Sequence, residues 1–362
     1  MYTLKDKLCI LFGENGLTVK KFFQLSELYD TADELVKNFD CDDRIRSILG
    51  NSYGVLKSAI KKNDAERIIF DMEQNRIEAV TWYSEKYPRC LRDIDEPPYI
   101  LFCKGDITLL SKNCLSVVGT RKVSSYGRRI ATDFTRLLAE HFVIVSGLAY
   151  GVDSIAHETT LTESGLTIAV LGSGILNIYP PTNENLADRI LKGGGLIISE
   201  YGLRASPLAY HFPHRNRIVA GLSRGLLVCQ APLKSGTNST VELALEQGKD
   251  VFVVPGEIYD SGFSGSNALI KSMQGACVTT PRDIIDFYNL ESKQVENKII
   301  QLNFEEQKIV DVLTVGQKSF DQLVCETGFS PSDLNFLLAN LELRSIIARL
   351  PGNSYRIYGG TE

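Results

Sequence analysis

The chain has 362 residues, of which 44% are hydrophobic and 23% are charged, a composition typical of a globular protein with two or three domains. No stretch approaches the roughly 18 consecutive apolar residues of a membrane helix, and the first residues lack the pattern of a secretory signal, so we expect neither a membrane partner nor secretion. Eight cysteines occur without a C-x-x-C pair or a zinc-type spacing to histidine, which predicts reduced thiols in a cytoplasmic protein that has no metal or other cofactor.

Charge is unevenly distributed along the sequence. The net charge of −5 argues by itself against a polyanionic partner. Residues 114–238 nevertheless hold twelve Lys and Arg against eight Asp and Glu, and all four histidines lie there. A locally cationic region of this kind can attract a polyanion despite the acidic total.

The first third of the chain is predicted to differ from the middle. Residues 1–75 are expected to form a helical N-terminal domain, because their apolar residues recur with a helical period. Residues 82–106 are punctuated by prolines and are expected to form an irregular connector.

A second domain is predicted over residues 76–290, with a doubly wound α/β fold built on a mainly parallel sheet. Short apolar runs alternate with amphipathic segments, which is typical of strands covered by helices on both faces. Sheets of this class bind ligands at the carboxyl ends of their strands. The predicted strands are CLSVVG, FVIVS, TIAVLG, GLIISE, GLLVCQ and VFVVP.

The end of the chain follows a different pattern. Residues 291–303 are polar and lack Gly and Pro, which predicts a linker. Residues 304–360 contain three helix candidates, followed by SIIARL and SYRIY as two short strands around a Pro-Gly-Asn turn. Three helices and a hairpin indicate a winged helix-turn-helix domain.

The loop after the first strand of the second domain, VVGTRKVSSYG, is the first candidate anion site. Gly119 permits a sharp turn and a close approach of the backbone to a ligand. Arg121 and Lys122 add positive charge, and the helix that follows offers free N–H groups to a phosphate. The alternative interpretation is a solvated loop with a tight turn.

Glycines follow the next two strands as well. Ser146 and Gly147 again permit a close approach of the backbone. Gly172 and Gly174 resemble the start of a dinucleotide-binding motif, but the third glycine is missing, which gives little support to NAD binding.

The segment HFPHRNRIVAG concentrates cations between two apolar runs. Arg215 and Arg217 could each bond phosphate oxygens through two N–H groups. Phe212 could stack on a base, and Asn216 could bond a base edge or stabilise the loop. The alternative is that the arginines pair with acids such as Glu200 and tie strands together.

A last candidate loop comes just before a predicted helix and consists of Lys234, Ser235, Gly236 and Thr237. Small, hydroxylated residues at a helix start form a nest of N–H groups for phosphate. Because every candidate loop follows a strand, all of them should gather at one edge of the sheet.

These loops contain no evident catalytic pair. Asp153 and His157 are four residues apart on a predicted helix and could form an acid–base pair, although a structural contact is the simpler interpretation. The sequence shows no Cys–His dyad, carboxylate pair or metal cluster beside them. We therefore expect a phosphate-binding site in a protein that is not an enzyme.

The chain resembles the DNA-processing protein A family, which is also called DprA or Smf. The resemblance covers about residues 87–285 and rests on VVGTRKVSSYG, VSGLAYGVDSIAH, FPHRNRIVAGLS and SGTNSTVELALEQGKDVFVVPG, in the order of the family's motifs. It implies an extended Rossmann-like fold, binding of single-stranded DNA, loading of the RecA recombinase onto that DNA, a role in natural transformation, and a homodimer. The family's DNA-contacting motifs correspond to Gly119, Thr120, Arg121, Lys122, Ser146, Gly147, Phe212, His214, Arg215, Asn216 and Arg217.

The leading hypothesis is therefore a non-catalytic protein that binds single-stranded DNA. Arg121 and Arg217 are its main predicted phosphate contacts, followed by Lys122 and Arg215. The chain departs from the family at Gln230, where an acid is common, and at Ser235-Gly236-Thr237, where the family often has Ser-Gly-Ser.

Two other functions remain open at this point. The SGTNSTVE segment is similar to the G-G-x-G-T-x-x-E loop of phosphoribohydrolases of the lysine-decarboxylase-like group, in which case Glu242 would be catalytic and Thr237 would hold phosphate. Alternatively, the winged helix would regulate duplex DNA. Its predicted recognition helix carries two acids before its sole arginine, which makes it a poor phosphate binder.

Overall fold

The structure is a computed structural model that describes residues 2–290, 302–344, 346–350 and 352–357. The chain divides into two compact units, of which the first ends at residue 291 and the second begins at residue 292. Most of the predicted linker, residues 291–301, lies outside the described residues. No helix in the described part of the chain is long and apolar enough to cross a lipid bilayer.

Helices open the first unit, as predicted for residues 1–75. Side chains of Thr3, Thr31 and Asp42 accept hydrogen bonds from backbone N–H groups and so fix three of the helix starts. One apolar cluster joins these helices to the face of the sheet that follows, where they form a covering layer. The helices are α1 (Leu4–Glu14), α2 (Val19–Ser26), α3 (Ala32–Asn38), α4 (Asp43–Leu49), α5 (Tyr53–Lys61) and α6 (Asp64–Gln74).

The described residues of this unit contain one nine-stranded sheet. Its strands are β1 (Ile77–Thr81), β2 (Ile100–Gly105), β3 (Cys114–Val118), β4 (Val143–Ser146), β5 (Thr167–Val170), β6 (Leu196–Ser199), β7 (Gly225–Val228), β8 (Asp250–Val253) and β9 (Ala276–Cys277). They lie in the order β1-β2-β6-β5-β4-β3-β7-β8-β9. The strands from β6 to β9 in that order are parallel, and β1 and β2 are antiparallel to their neighbours.

Strands β3 to β8 confirm the six strands predicted from apolar runs. The sequence pattern does not predict β1, β2 or β9. The expectation of an irregular connector over residues 82–106 is wrong for its last part, because β2 lies there and pairs with both β1 and β6. Its apolar run is short and follows two prolines, so its identity as a strand depends on partners that are distant in sequence.

Helices cover both faces of the sheet, as a doubly wound fold requires. Neighbouring residues of β3 show the division: Val117 faces a cluster with α7, α8 and α13, whereas Val118 faces a cluster with α10 and α11. The helices that follow β3 in this unit are α7 (Ser125–Leu138), α8 (Val152–Thr162), α9 (Glu184–Lys192), α10 (His211–Leu222), α11 (Gly236–Glu246), α12 (Ser264–Lys271) and α13 (Pro281–Phe287). Short 3-10 turns occupy Gly50–Ser52, Arg89–Leu91, Ile107–Ser111, Pro181–Asn183 and Ser261–Phe263.

The second unit has its own apolar core and the predicted winged-helix arrangement. Its elements are α14 (Phe304–Thr314), β10 (Lys318–Ser319), α15 (Phe320–Thr327), α16 (Pro331–Leu343), β11 (Ile347–Leu350) and β12 (Ser354–Ile357). Ser330 caps α16 and Pro331 occupies its first turn, as the sequence predicts. One apolar cluster joins the three helices and the hairpin. It includes Ile309 of α14, Leu323 of α15, Leu337 of α16 and Tyr355 of β12.

Candidate functional site

The strand order identifies one place on the sheet where a ligand is expected. From β3 the chain fills the positions up to β6 on one side, and from β7 to β9 it fills the other side. The loops that leave β3 and β7 therefore diverge and leave a crevice at their carboxyl ends. A cavity of about 430 Å³ lies there. Most of its lining comes from the predicted site, namely Gly119, Thr120, Arg121, Lys122, Gly147, Phe212, Arg215, Asn216, Lys234, Ser235, Gly236 and Thr237.

The loop after β3 is held tightly against its neighbours. The backbone N–H of Thr120 donates to the carbonyl of Gln230 at 2.8 Å, and a side chain at Gly119 would approach Val152 to 2.5 Å. The Gln230 side chain in turn accepts from the backbone N–H of Ser124, which caps α7. An amide oxygen thus fills the position where an acid is common in the resembling family, and it fixes the loop that presents Arg121.

Unpaired positive charge surrounds the mouth of the cavity. Arg121, Lys122 and Lys234 are exposed, and none forms an ion pair within the described residues. The guanidinium of Arg121 lies 5.9 Å from the ring centroid of Phe212. Asp153 is the only carboxylate in the described lining, and it is buried. The cavity is therefore suited to an anion.

The start of α11 forms one wall of the cavity. The Ser235 hydroxyl caps the helix by accepting from the backbone N–H of Thr237 at 3.1 Å. Thr240 also lines the cavity and is only 3% exposed, although it is not among the predicted site residues. Its distance of three residues from Thr237, about one helical turn, could have identified it. The hydroxyls and the positive end of the helix dipole at the start of α11 favour phosphate binding.

The segment HFPHRNRIVAG is not a loop, contrary to expectation, but most of helix α10. Helical periodicity separates residues that a loop or strand would have placed together. Phe212, Asn216 and Val219 share the face that lines the cavity, whereas His214 and Arg217 lie outside its lining. The predicted set is thus divided between two faces of the helix.

Arg217 is positioned by a buried carboxylate. Its guanidinium donates to both carboxylate oxygens of Glu200 at 2.6 Å and to the carbonyl of Glu96 at 2.9 Å. Burial would raise the pKa of Glu200, but the charge of Arg217 and hydrogen bonds from His214 and Arg217 lower it to about 2. For Arg217 the alternative interpretation, a tie to Glu200, is therefore the one that the structure bears out.

Arg215 lies at the floor of the cavity and is 3% exposed. It donates to the carbonyls of Gly147 and Val170, at the ends of β4 and β5, and its burial lowers its pKa. Asp153 accepts from the backbone N–H groups of Gly147 and Ala149, and burial raises the pKa of Asp153. Arg215 thus holds two strand ends together while it contributes positive charge from below.

Three predicted residues shape the surroundings and do not line the cavity. The Ser146 hydroxyl donates to the carbonyl of Val117 at 2.7 Å and ties β4 to β3. A side chain at Gly172 would meet the ring of Phe212 at 2.8 Å, so this glycine leaves room for the ring. Gly174 packs against the backbone of residues 202–205.

The structure does not support the two residue pairs that suggested catalysis. The Nδ1 atom of His157 forms a hydrogen bond with the hydroxyl of Thr167. No hydrogen bond or ion pair joins His157 to Asp153, so the structure supports neither an acid–base pair nor a structural contact between them. Complete burial, with the charge of Arg215, lowers the pKa of His157 to about 3, so the ring is neutral. Glu242 is exposed and lies outside the lining that contains Thr237, which disfavours the phosphoribohydrolase hypothesis. No group of His, Cys, Asp or Glu among the described residues could hold a metal ion.

Comparisons with known proteins identify the family of this chain. The profile of DNA recombination-mediator protein A matches residues 78–289, and that of the DprA winged helix domain matches residues 297–353. The DNA processing protein DprA of Bacillus subtilis is 39% identical over 64% of this chain and 80% of its own length.

Solved structures give the same result. The crystal structure of DprA from Streptococcus pneumoniae matches 79% of this chain and 98% of its own with a TM-score of 0.65 and 34% identity. DprA from Helicobacter pylori, whose structure was studied for its single-stranded DNA binding mode, matches 59% of this chain and 96% of its own with a TM-score of 0.54 and 32% identity. The chain therefore belongs to the DprA family of DNA processing proteins.

Proposed function

We propose that this protein binds single-stranded DNA in the cavity between the loops after β3 and β7. The observation that carries the proposal is the combination of three unpaired cations, Arg121, Lys122 and Lys234, with the start of α11 around one crevice. Phosphate groups would bind to the cations and would be favoured by the positive end of the helix dipole at the start of α11. The relative from Helicobacter pylori, which is described by its single-stranded DNA binding mode, supports the same ligand.

Selectivity for single strands follows from the size and lining of the cavity. A volume of about 430 Å³ is within the range of small-ligand pockets and is large enough for one nucleotide that has left its stack. The ring of Phe212 is partly exposed beside Arg121 and offers an apolar surface to a base. Bases held in a duplex cannot be turned into such a cavity without the cost of unpairing.

The experiment that tests the proposal is fluorescence anisotropy with a labelled oligo-dT and with a duplex of the same length. Tight binding of the single strand, with weak binding of the duplex, is the expected result. Equal affinity for both would exclude recognition of unstacked bases in the cavity. Absence of binding to either would direct attention to free nucleotides, which the same measurement can examine by competition.

We further propose that the bound DNA is passed to the RecA recombinase during natural transformation and that the protein itself catalyses no reaction. The family's description as a recombination mediator supports the first part. Asp153 and His157 form no hydrogen bond or ion pair with each other, and this observation and the exposed position of Glu242 support the second part. The rate of ATP hydrolysis by RecA on single-stranded DNA should rise when this protein is added and should not rise with a variant that fails to bind DNA.

A homodimer is the proposed assembly. Strand β9 ends the sheet, and both of its residues, Ala276 and Cys277, are exposed. An edge strand of this kind leaves backbone N–H and C=O groups available to a second copy. Light scattering over a range of protein concentrations should give twice the chain mass, and a monomer at all concentrations would contradict the assembly.

A further inference from the structure

A second, larger cavity lies at the opposite ends of the same strands. Its volume is about 810 Å³, and its lining shares no residue with the proposed DNA-binding cavity. It is bounded by residues 85–90, by the 3-10 turn at Ile107–Ser111, and by the residues that enter β3, β7 and β8. Because these strands are parallel, their amino ends meet at the edge away from the DNA-binding cavity.

Cations dominate the charge of this second cavity. Five of them line it, namely Lys86, Arg89, Lys112, Arg224 and Lys249, against one acid, Glu85. Lys86 pairs with Glu78 at 2.7 Å. The other four form no ion pair with any residue that the structure describes, although Lys249 donates to the carbonyl of Gly221 and Arg224 lies over the ring of Tyr288. A group of four cations without a carboxylate partner favours an anionic ligand.

The floor of the cavity is apolar. Tyr87, Leu110, Cys114 and Leu222 contribute to it and are each less than a tenth exposed. The Tyr87 hydroxyl donates to the carbonyl of Pro98 at 2.7 Å, so its one polar side-chain atom is already engaged within the protein. A ligand that fills this space must place an apolar group on the floor and negative charge at the cationic rim.

The details of the lining favour a peptide over a nucleic acid. A nucleobase requires a free aromatic face, but the ring of Tyr87 already contacts Trp82 and Arg92. The described lining contains no glycine that would let a phosphate approach the backbone, in contrast to Gly119 and Gly236 in the first cavity. Long, separated lysine and arginine side chains around an apolar floor suit carboxylates on either side of an apolar side chain.

We propose that this cavity docks an acidic peptide segment of a partner protein, with one apolar side chain inserted between its carboxylates. The inference does not rest on the proposed DNA-binding function, because the two cavities share no residues. A partner bound at the amino ends of the strands leaves the carboxyl ends accessible. DNA and the partner can therefore occupy the protein at the same time.

The test is fluorescence anisotropy of the full chain with a labelled peptide in which one leucine is flanked on each side by two aspartates. The wild type should bind it with an affinity that falls as salt rises. Reversal of two exposed charges in the variant Arg89→Glu/Lys112→Glu should weaken binding by about tenfold or more, because each lost ion pair is replaced by a repulsion. The same peptide with serine in place of leucine should bind more weakly to the wild type.

Two controls distinguish binding in this cavity from a general effect of net charge and from binding in the DNA-binding cavity. The variant Lys20→Glu/Lys62→Glu changes the net charge equally at exposed lysines of the N-terminal helices and should bind the peptide as the wild type does. Saturating oligo-dT should leave peptide binding unchanged.

The proposal is overturned if the wild type does not bind the peptide, if both charge variants bind it equally, or if serine replaces leucine without effect. Displacement of the peptide by oligo-dT, or loss of oligo-dT binding in the Arg89→Glu/Lys112→Glu variant, would likewise overturn it.

Discussion

Arg217 and Glu200 form a buried ion pair joined by two hydrogen bonds of 2.6 Å, and their side chains are 4% and 8% exposed. Glu200 directly follows β6 and Arg217 is on α10, so the pair fastens the helix to the end of a central strand. His214 adds a contact to Glu200 at 3.3 Å. The cationic sequence that suggests a DNA groove thus includes an arginine whose hydrogen-bonding groups are engaged inside the protein.

Replacement of Arg217 by alanine should therefore destabilise the fold. The substitution leaves the Glu200 carboxylate buried without its partner, which typically costs about 3 kcal/mol or more. Urea unfolding measures the loss, and affinity for oligo-dT is then compared at equal concentrations of folded protein. Normal stability with lost DNA binding would show that the guanidinium contacts DNA.

The same pair predicts an acid limb in the stability profile. The pKa of Glu200 is about 2 in the folded protein, against an ordinary value of 4.5 that applies to the unfolded chain. Its contribution is fully present above pH 4.5 and is lost as the pH falls through 2, with a size of roughly 3 kcal/mol. The variant Glu200→Gln should be less stable at neutral pH, because Arg217 is left unpaired, and its stability should depend less on pH across this window. Urea midpoints of both proteins at several pH values make the comparison, and parallel pH curves would contradict it.

Local pattern was sufficient for the central strands but not for the helix that carries the arginines. Apolar runs that are buried on both faces identify β3 to β8 without knowledge of their partners. The segment HFPHRNRIVAG has few apolar residues at helical spacing in its first half, and its alternating arginines suggest a loop at a strand end. Helical periodicity places the two arginines on different faces of α10, and they meet their partners, Gly147 and Glu200, only when the sheet assembles.

The candidate site divides in the same way. Gly119, Arg121 and Lys122 follow a strand directly, so the rule that ligands bind at carboxyl strand ends locates them. Thr240 lies one turn inside α11. It lines the cavity because of the direction in which the axis of α11 runs, which the local sequence does not determine. Strand β2 shows the same dependence on tertiary structure, because its short apolar run acquires its identity from β1 and β6.

The exposed cations of the cavity should determine the salt dependence of DNA binding. If Arg121 contacts one phosphate, Arg121→Ala should lower the slope of log affinity against log salt by about 0.7, the value for one phosphate of a single strand. Stability should change little, since Arg121 is exposed and forms no ion pair within the described residues. Anisotropy over a salt series provides the slope, with Lys20→Ala, a change at an exposed lysine far along the chain, as the control. An unchanged slope would place the DNA path elsewhere.

Two glycines of the cavity should respond differently to alanine. A side chain at Gly147 would lie 2.5 Å from the Arg215 guanidinium and 2.8 Å from the Asp153 carboxylate, so Gly147→Ala should cost about 1–3 kcal/mol of stability. A side chain at Gly236 would meet nothing within 4 Å, so Gly236→Ala should fold normally. If DNA approaches the start of α11, Gly236→Ala should still bind oligo-dT more weakly. Unfolding curves and anisotropy on both variants decide this, and equal stability of the two would contradict the assigned role of Gly147.

The winged helix should contribute little to single-strand affinity. Helix α16 contains two acids and no lysine or arginine, and Arg344, which follows it, pairs with Glu306 at 2.8 Å. These features disfavour contact with phosphates, so the domain is better suited to a protein contact or to modulation. A protein shortened to residues 1–290 retains the first compact unit with every residue that lines the proposed DNA-binding cavity, and it should keep most of the affinity for oligo-dT. Anisotropy of the shortened and full chains tests this directly. A loss of about tenfold, which corresponds to about 1.4 kcal/mol of binding free energy, would assign the winged helix a direct part in holding the strand.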